Sequence, residues 1–213
     1  MRAIEIEHAS KAIKGRTVLN DVTVTLDEGG VYGFFGINGS GKTMLFRAIS
    51  GLIGLDSGAI SVFGKRIGVD TPFPDEMGLA LGAGFWEDYS GLDNLLMLAS
   101  IQGKVGEREA RAAIARLGLD PDDRRPYKSY SLGMRQRLEL AQAVMERPRL
   151  LILDEPTNAL DASGLQLVVD IIGEERARGA TILLTAHNVP ELERLCTRTF
   201  EMYEGSLREA DAR

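Results

Sequence analysis

Residues Gly36 to Thr43 read Gly-Ile-Asn-Gly-Ser-Gly-Lys-Thr, directly after the apolar run Val31 to Phe35 and at the start of a helical segment, Lys42 to Ser50. A strand that turns through three glycines into a helix constrains the fold more than any other stretch of this chain. Gly36, Gly39 and Gly41 let the backbone take conformations closed to other residues and bring its N–H groups close to an anion. Ile37, Asn38 and Ser40 complete the same cradle. The Lys42 ammonium can reach β- and γ-phosphates, the Thr43 hydroxyl can ligate Mg²⁺, and the new helix points its N-terminus at the bound phosphate.

The rest of the chain limits what this cradle can belong to. With 213 residues and 44% hydrophobic content, it can bury a sizeable core as one α/β domain with room for a small subdomain. Its longest apolar stretches, such as Leu79 to Trp86 and Leu150 to Leu153, fall far short of the roughly twenty residues that cross a bilayer. Met1-Arg2-Ala3-Ile4-Glu5 lacks the apolar core of a signal peptide, so a cytoplasmic location is expected. The single cysteine, Cys196, cannot form an internal disulfide and is expected to be a small buried apolar residue. A formal charge of −6 argues against tight sequence-independent binding of nucleic acid, and no nucleic-acid partner is expected. Arg124, Arg125 and Lys128 form a local basic cluster, read as a solvated loop.

Strands and helices alternate along the chain. Ile4 and Ile6 alternate with Glu5 and Glu7, and Val22, Val24 and Leu26 with Thr23 and Thr25, as in edge or antiparallel strands with one buried face. Val31 to Phe35, Leu150 to Leu153 and Thr181 to Leu184 are instead continuous apolar runs, as parallel strands covered on both faces require. Helices are expected over Lys42 to Ser50, Gly164 to Arg178, and Pro190 to Leu195, the last opening on Pro and Glu. This order predicts a parallel sheet with crossovers. From Tyr89 to Arg147 helical periodicity takes over, with Leu92, Leu95, Leu96 and Ala99 on one face, Ala110, Ala113, Ile114 and Leu117 on another, and Met134, Leu138, Ala141 and Met145 on a third. The stretch Asp120 to Lys128 links these helices as a hinge or an ordinary surface loop.

Asp154 and Glu155 lie at the carboxyl end of the strand Leu150 to Leu153, the edge at which such a sheet presents its phosphate loop. There Asp154 can hold Mg²⁺ through its water shell, while Glu155 orients and deprotonates the water that attacks a γ-phosphate. Pro156 disfavours helix at Glu155 and predicts an extended strand end. Ser131 is suited to cap a helix beginning near Gly133, and a helix N-terminus with a serine hydroxyl and a glycine is a second anion site.

Tyr130 to Leu138 (Tyr-Ser-Leu-Gly-Met-Arg-Gln-Arg-Leu) resembles the signature of ATP-binding-cassette (ABC) proteins, Asn158-Ala159-Leu160-Asp161 their D-loop, and His187 their switch histidine. Order and spacing match from Ile4 to about Leu207, and the chain is similar to short exporter-type nucleotide-binding subunits. The resemblance implies an α/β P-loop NTPase fold with a mainly parallel sheet core, an N-terminal antiparallel β subdomain and a helical insert. The core would take about residues 1–88 and 148–213, and the helical subdomain about 89–147. It also implies a Mg-dependent ATPase whose two subunits, identical or similar, pack head to tail. Ser131 and Gly133 of one would then close over the ATP held by Lys42 of the other, with Asp161 acting across the interface. A separate membrane-spanning permease subunit would dock against the Gly82 region and the helical insert. A soluble ABC ATPase without transport, or a regulatory cassette with weak hydrolysis, remains an alternative.

Two positions depart from the family pattern. Where an aromatic residue usually stacks on adenine, the chain has Ile13, between Ala12 and Lys14. Where the family's glutamine loop should follow the strand Met77 to Leu81, no glutamine occurs before Ile101; Gly82 falls nearest and Glu87 follows. The polar end from Leu207 to Arg213 reads as a frayed tail.

Overall fold

The continuous apolar runs become central strands because each supplies side chains to both faces of one sheet. In β3 (Val31–Phe35) Tyr32 and Phe34 enter one core and Val31 the other; in β7 (Leu150–Leu153) Leu150 and Ile152 oppose Leu151 and Leu153; in β8 (Thr181–Thr185) Leu183 opposes Ile182 and Leu184. Strands covered on both sides need no polar face, hence no alternation. The computed structural model describes residues 1–82, 84–186 and 189–210.

The six-stranded sheet runs β10-β9-β3-β8-β7-β6, with β6 (Met77–Ala80), β7, β8, β3 and β9 (Arg198–Tyr203) parallel and β10 (Ser206–Glu209) antiparallel at the edge. A second, antiparallel sheet, β2-β1-β4-β5, is built from β1 (Arg2–Ile13), β2 (Arg16–Asp27), β4 (Ser57–Val62) and β5 (Lys65–Arg66). Its alternating residues, among them Ile4, Ile6, Val22, Val24 and Leu26, pack on the face that carries α1 (Lys42–Ile49). Phe34 anchors this core, edge-on to Phe46 at 5.3 Å and stacked on Phe200 at 5.2 Å.

The other face carries α2 (Gly91–Gln102), α3 (Glu107–Arg116), α4 (Leu132–Val144) and α5 (Ala162–Ala177), with the short α6 (Pro190–Glu193) nearby. A Cβ on Gly78 of β6 would lie 1.9 Å from the Ala143 carbonyl oxygen, so α4 lies directly on the strand backbone. Where α3 meets α5, the buried Glu175 carboxylate pairs with Arg116 at 2.7 Å and with Arg178. The segment Asp120 to Lys128 is tied back by Tyr127 N–H to the Tyr89 carbonyl (2.8 Å) and Lys128 N–H to the Glu87 carbonyl (3.0 Å). In the basic cluster, Arg125 pairs with Asp123 and Lys128 with Asp88, leaving no continuous cationic patch there.

Several boundaries differ from the sequence expectation. The helix expected from Gly164 begins at Ala162, because Asp161 is its N-cap; the short helix expected to reach Leu195 stops at Glu193. The tail is not frayed from Leu207: residues 206–209 pair with β9, and Arg198 holds Glu209 at 2.6 Å. The edge strand was not legible in Leu207 to Arg213 because β10 gains its register from β9 alone; residues 211–213 lie outside the described residues. Cys196 is half-buried, with its thiol donating to the Leu192 carbonyl at 3.2 Å, and burial pushes its pKa up to about 12.

Candidate nucleotide site

The phosphate loop leaves β3 with Gly36 at φ 145°, turns through Gly39 at 79° and Gly41 at 115°, and enters α1 at Lys42. A Cβ on Gly36 would lie 2.3 Å from the Met202 carbonyl oxygen, and one on Gly41 would lie 2.5 Å from that of Val18. Glycine is therefore required twice over, by conformation and by crowding. The loop is fastened from outside: Gly205 N–H, in the β9–β10 turn, donates to the Ser40 carbonyl at 2.8 Å, and the Gly205 carbonyl accepts from Asn20 N–H at 2.9 Å. The Lys42 ammonium donates to the Gly36 and Ile37 carbonyls at 2.7 and 3.2 Å. Burial pushes its pKa down, while Glu155 and Asp154 pull it back up. The Ser40 hydroxyl is buried with no partner among the described residues. A buried hydroxyl left unpaired inside a cradle of N–H groups is suited to an oxyanion.

Asp154 links this loop to the strand ends. Its Oδ2 accepts from the Thr43 hydroxyl at 2.6 Å, and its Oδ1 from the Thr185 hydroxyl at 2.6 Å. The Thr185 oxygen in turn accepts from Glu155 N–H at 2.8 Å. Thr43, Asp154 and Glu155 thus come together as expected, through a residue the sequence reading missed: Thr185, fully buried at the end of β8. Glu155 departs from the extended conformation expected before Pro156, with φ 51°. Proline bars the preceding residue from the right-handed helical region, and the left-handed alternative lets Glu155 N–H reach Thr185 and its carbonyl accept from Asn158 N–H at 3.1 Å. Its carboxylate also accepts from the Asn158 amide. Such a conformation costs on the order of 1–3 kcal/mol and persists where neighbours enforce it.

The donor set around Asp154, a threonine hydroxyl beside a carboxylate, fits a hard cation such as Mg²⁺. Among the described residues no group of three or more His, Cys, Asp or Glu could hold a metal alone.

Ser131 caps α4, its hydroxyl accepting from Met134 N–H at 3.2 Å, so the helix begins at Leu132, one residue before the expected start. Gly133 backs onto the segment Asn158-Ala159-Leu160-Asp161: a Cβ there would lie 3.3 Å from the Ala159 carbonyl oxygen. Asp161 accepts from Gly164 N–H at 2.8 Å and stands 3.6 Å from Arg137. The Gly164 N–H, then the Ser163 hydroxyl, hold its carboxyl below the ordinary range. Among the described residues no hydrogen bond joins Ser131, Gly133 or Asp161 to residues 36–43.

Ile13 ends β1 and is 37% exposed. Gly82 follows β6 at φ 85°, a conformation that a glutamine side chain would strain, and its N–H donates to Glu139 of α4 at 2.6 Å. Glu87 is exposed and adjoins Lys128, not Thr43. His187 lies outside the described residues. Beyond Thr185, the sequence reading missed Asn94. Fully buried, Asn94 accepts from Trp86 N–H at 2.7 Å and donates to the Trp86 and Ser90 carbonyls, folding the loop that exposes Trp86 and Tyr89. Asn94 falls opposite the predicted apolar face of Leu92, Leu95, Leu96 and Ala99, so the sequence pattern carried no signal for it.

Residues 19–158 match the ABC transporter family model. The chain is 41% identical over 205 residues to the uncharacterized ABC transporter ATP-binding protein YybJ of Bacillus subtilis, covering 96% of this chain and 94% of that protein. To the lantibiotic transport ATP-binding protein SrtF of Streptococcus pyogenes it is 33% identical, covering 96% and 88%. The fold superposes with a TM-score of 0.88, at 18% identity over 99% of each chain, on the cassette MJ0796 in a dimeric post-hydrolysis state bound to ADP and Pi. The chain belongs to the ABC transporter family, as an ATP-binding subunit.

Proposed function

We propose that this protein is the Mg-dependent ATPase of an ABC transporter and that ATP-driven pairing of two subunits powers a separate membrane-spanning permease. The observation that carries the reading is the hydrogen-bonded chain Thr43–Asp154–Thr185–Glu155, which ties the phosphate loop to both strand-end carboxylates. Lys42, the loop N–H groups and the Ser40 hydroxyl bind the phosphates; Thr43 and Asp154 hold the cation. Bound there, Mg²⁺ would neutralise phosphate charge and polarise the γ-phosphoryl group. Glu155 accepts a proton from water as its oxygen attacks the γ-phosphorus, and the bond to ADP breaks with ADP as leaving group.

Among the described residues Ser131 and Gly133 make no hydrogen bond to the phosphate loop of their own chain, which supports a composite site closed by a second copy or a similar subunit, with Asp161 at that interface. His187, two residues beyond β8 in the sequence, would sense the γ-phosphate. We take residues about 1–88 and 148–213 as the catalytic core and 89–147 as a helical subdomain. The loop holding Gly82 and the exposed Trp86 and Tyr89, beside α2, suits permease docking. No helix among the described residues is long and apolar enough to cross a membrane, which supports attachment to the inner face of the membrane through the permease.

Glu155→Gln tests the reading. It should reduce steady-state ATPase turnover by at least 10²-fold, retain ATP binding and accumulate an ATP-bound dimer; turnover at the wild-type rate would refute it.

A further inference from the structure

The chain lacks the aromatic residue expected at Ile13, yet its replacement does not stand alone. β1 and β2 are joined by the two-residue turn Lys14-Gly15, with φ of 50° and 78°. Positive φ at both residues is the backbone of a type I′ hairpin turn, and it makes Ile13 and Arg16 directly opposed partners. Opposed residues of an antiparallel pair project to the same face, so an aliphatic and a cationic side chain stand together at the hairpin end. That end lies over the phosphate loop. The Val18 carbonyl crowds Gly41, and a Cβ built on Gly39 would lie 3.9 Å from an Arg16 guanidinium nitrogen. Arg16 is exposed and has no acidic partner among the described residues. Arginines elsewhere in the fold are paired: Arg2 with Glu5, Arg149 with Glu28, and Arg198 with Glu209.

We infer that Arg16 is a nucleotide-binding residue that grips the phosphate chain from the hairpin side, opposite Lys42, and that this contact offsets the weak aliphatic hold of Ile13 on the base. The inference rests on the proposed ATP site. A guanidinium offers planar, paired donors to phosphate oxygens, whereas an isoleucine offers the base only contact area. Affinity then resides in the polyphosphate, and discrimination among purine bases is small.

The test is calorimetric titration of the intact protein, with Mg²⁺, against ATP, GTP and inorganic tripolyphosphate. Arg16→Gln should weaken all three by about tenfold and by the same factor, and Arg16→Lys should restore part of the loss by returning charge without the planar fork. Because the site is exposed, the loss should shrink as ionic strength rises. An Arg16→Gln variant that binds ATP within twofold of wild type would overturn the inference. So would a loss confined to ATP with tripolyphosphate binding unchanged, which would make Arg16 a base contact. If wild type itself binds no ATP, or Lys42→Ala binds it equally well, the proposed function fails; if both controls behave and only Arg16 is silent, the inference alone fails.

Discussion

Thr185→Val isolates the residue that joins the two carboxylates. Threonine and valine have nearly the same volume, so no cavity opens, and the change removes one hydroxyl from a fully buried position. Two bonds are lost: the donation to Asp154 Oδ1 at 2.6 Å and the acceptance from Glu155 N–H at 2.8 Å. Leaving a buried N–H unpaired costs about 1–3 kcal/mol, and losing a hydrogen bond to a charged group about 1.5–3 kcal/mol. The two share one oxygen and do not add fully, so a net loss of about 2–4 kcal/mol is expected. In a chain of this length each kcal/mol lowers Tm by roughly 2–4 °C, giving a drop between about 4 and about 16 °C. Turnover should fall further than binding. Lys42 is held by the Gly36 and Ile37 carbonyls, independently of Thr185, whereas Glu155 loses an anchor of its strained backbone. A displacement of the order of 1 Å at such a group costs up to about 10²-fold in rate. Thermal melting, ATP titration and steady-state ATPase measured together, with Thr185→Ser as the hydroxyl-retaining control, check this. Melting and turnover indistinguishable from the serine variant would refute the account.

Three further measurements probe other parts of the fold. Glu175→Gln leaves Arg116 and Arg178 facing a neutral amide; because both guanidinium groups are partly exposed and can rehydrate, urea unfolding should report a loss of about 1–3 kcal/mol, below the full cost of breaking a buried pair. Glu139→Ala removes the acceptor of Gly82 N–H, and hydrogen exchange at that amide should quicken by about tenfold or more, with no change in the strand amides of β7. Cys196, pushed up to about 12 by burial, should resist iodoacetamide in the native protein at pH 8 and react on unfolding. The folded thiol keeps its proton while the unfolded one ionises near its ordinary value of 9. The stabilising contribution is therefore complete below pH 9 and is lost as pH rises from 9 towards 12.

Much of the site was legible because its chemistry is local. Glycines spaced around a sharp turn, Lys-Thr at a helix start, and two carboxylates after an apolar strand each have a short-range physical reason, and all of these fall where the spacing predicted. Ser131 as a cap is local in the same sense. Thr185 and Glu139 were not legible: a threonine at a strand end and a glutamate on a helix acquire meaning only from partners 31 and 57 residues away. The conformation of Glu155 failed for a related reason. Proline excludes one region of backbone space but does not choose between the two that remain, and Thr185 and Asn158 make that choice.

The sequence alone determined the class of fold and the existence of a phosphate site, since strand and helix periodicity and the turn chemistry of glycine depend on near neighbours. Tertiary structure decided what surrounds that site. It set the β9–β10 turn against Ser40, turned a supposedly loose tail into an edge strand, and seated the β1–β2 hairpin over Gly39 so that Arg16 reaches the loop. Those contacts join segments far apart in the chain, and their register is fixed by packing across two sheets, which no local pattern encodes.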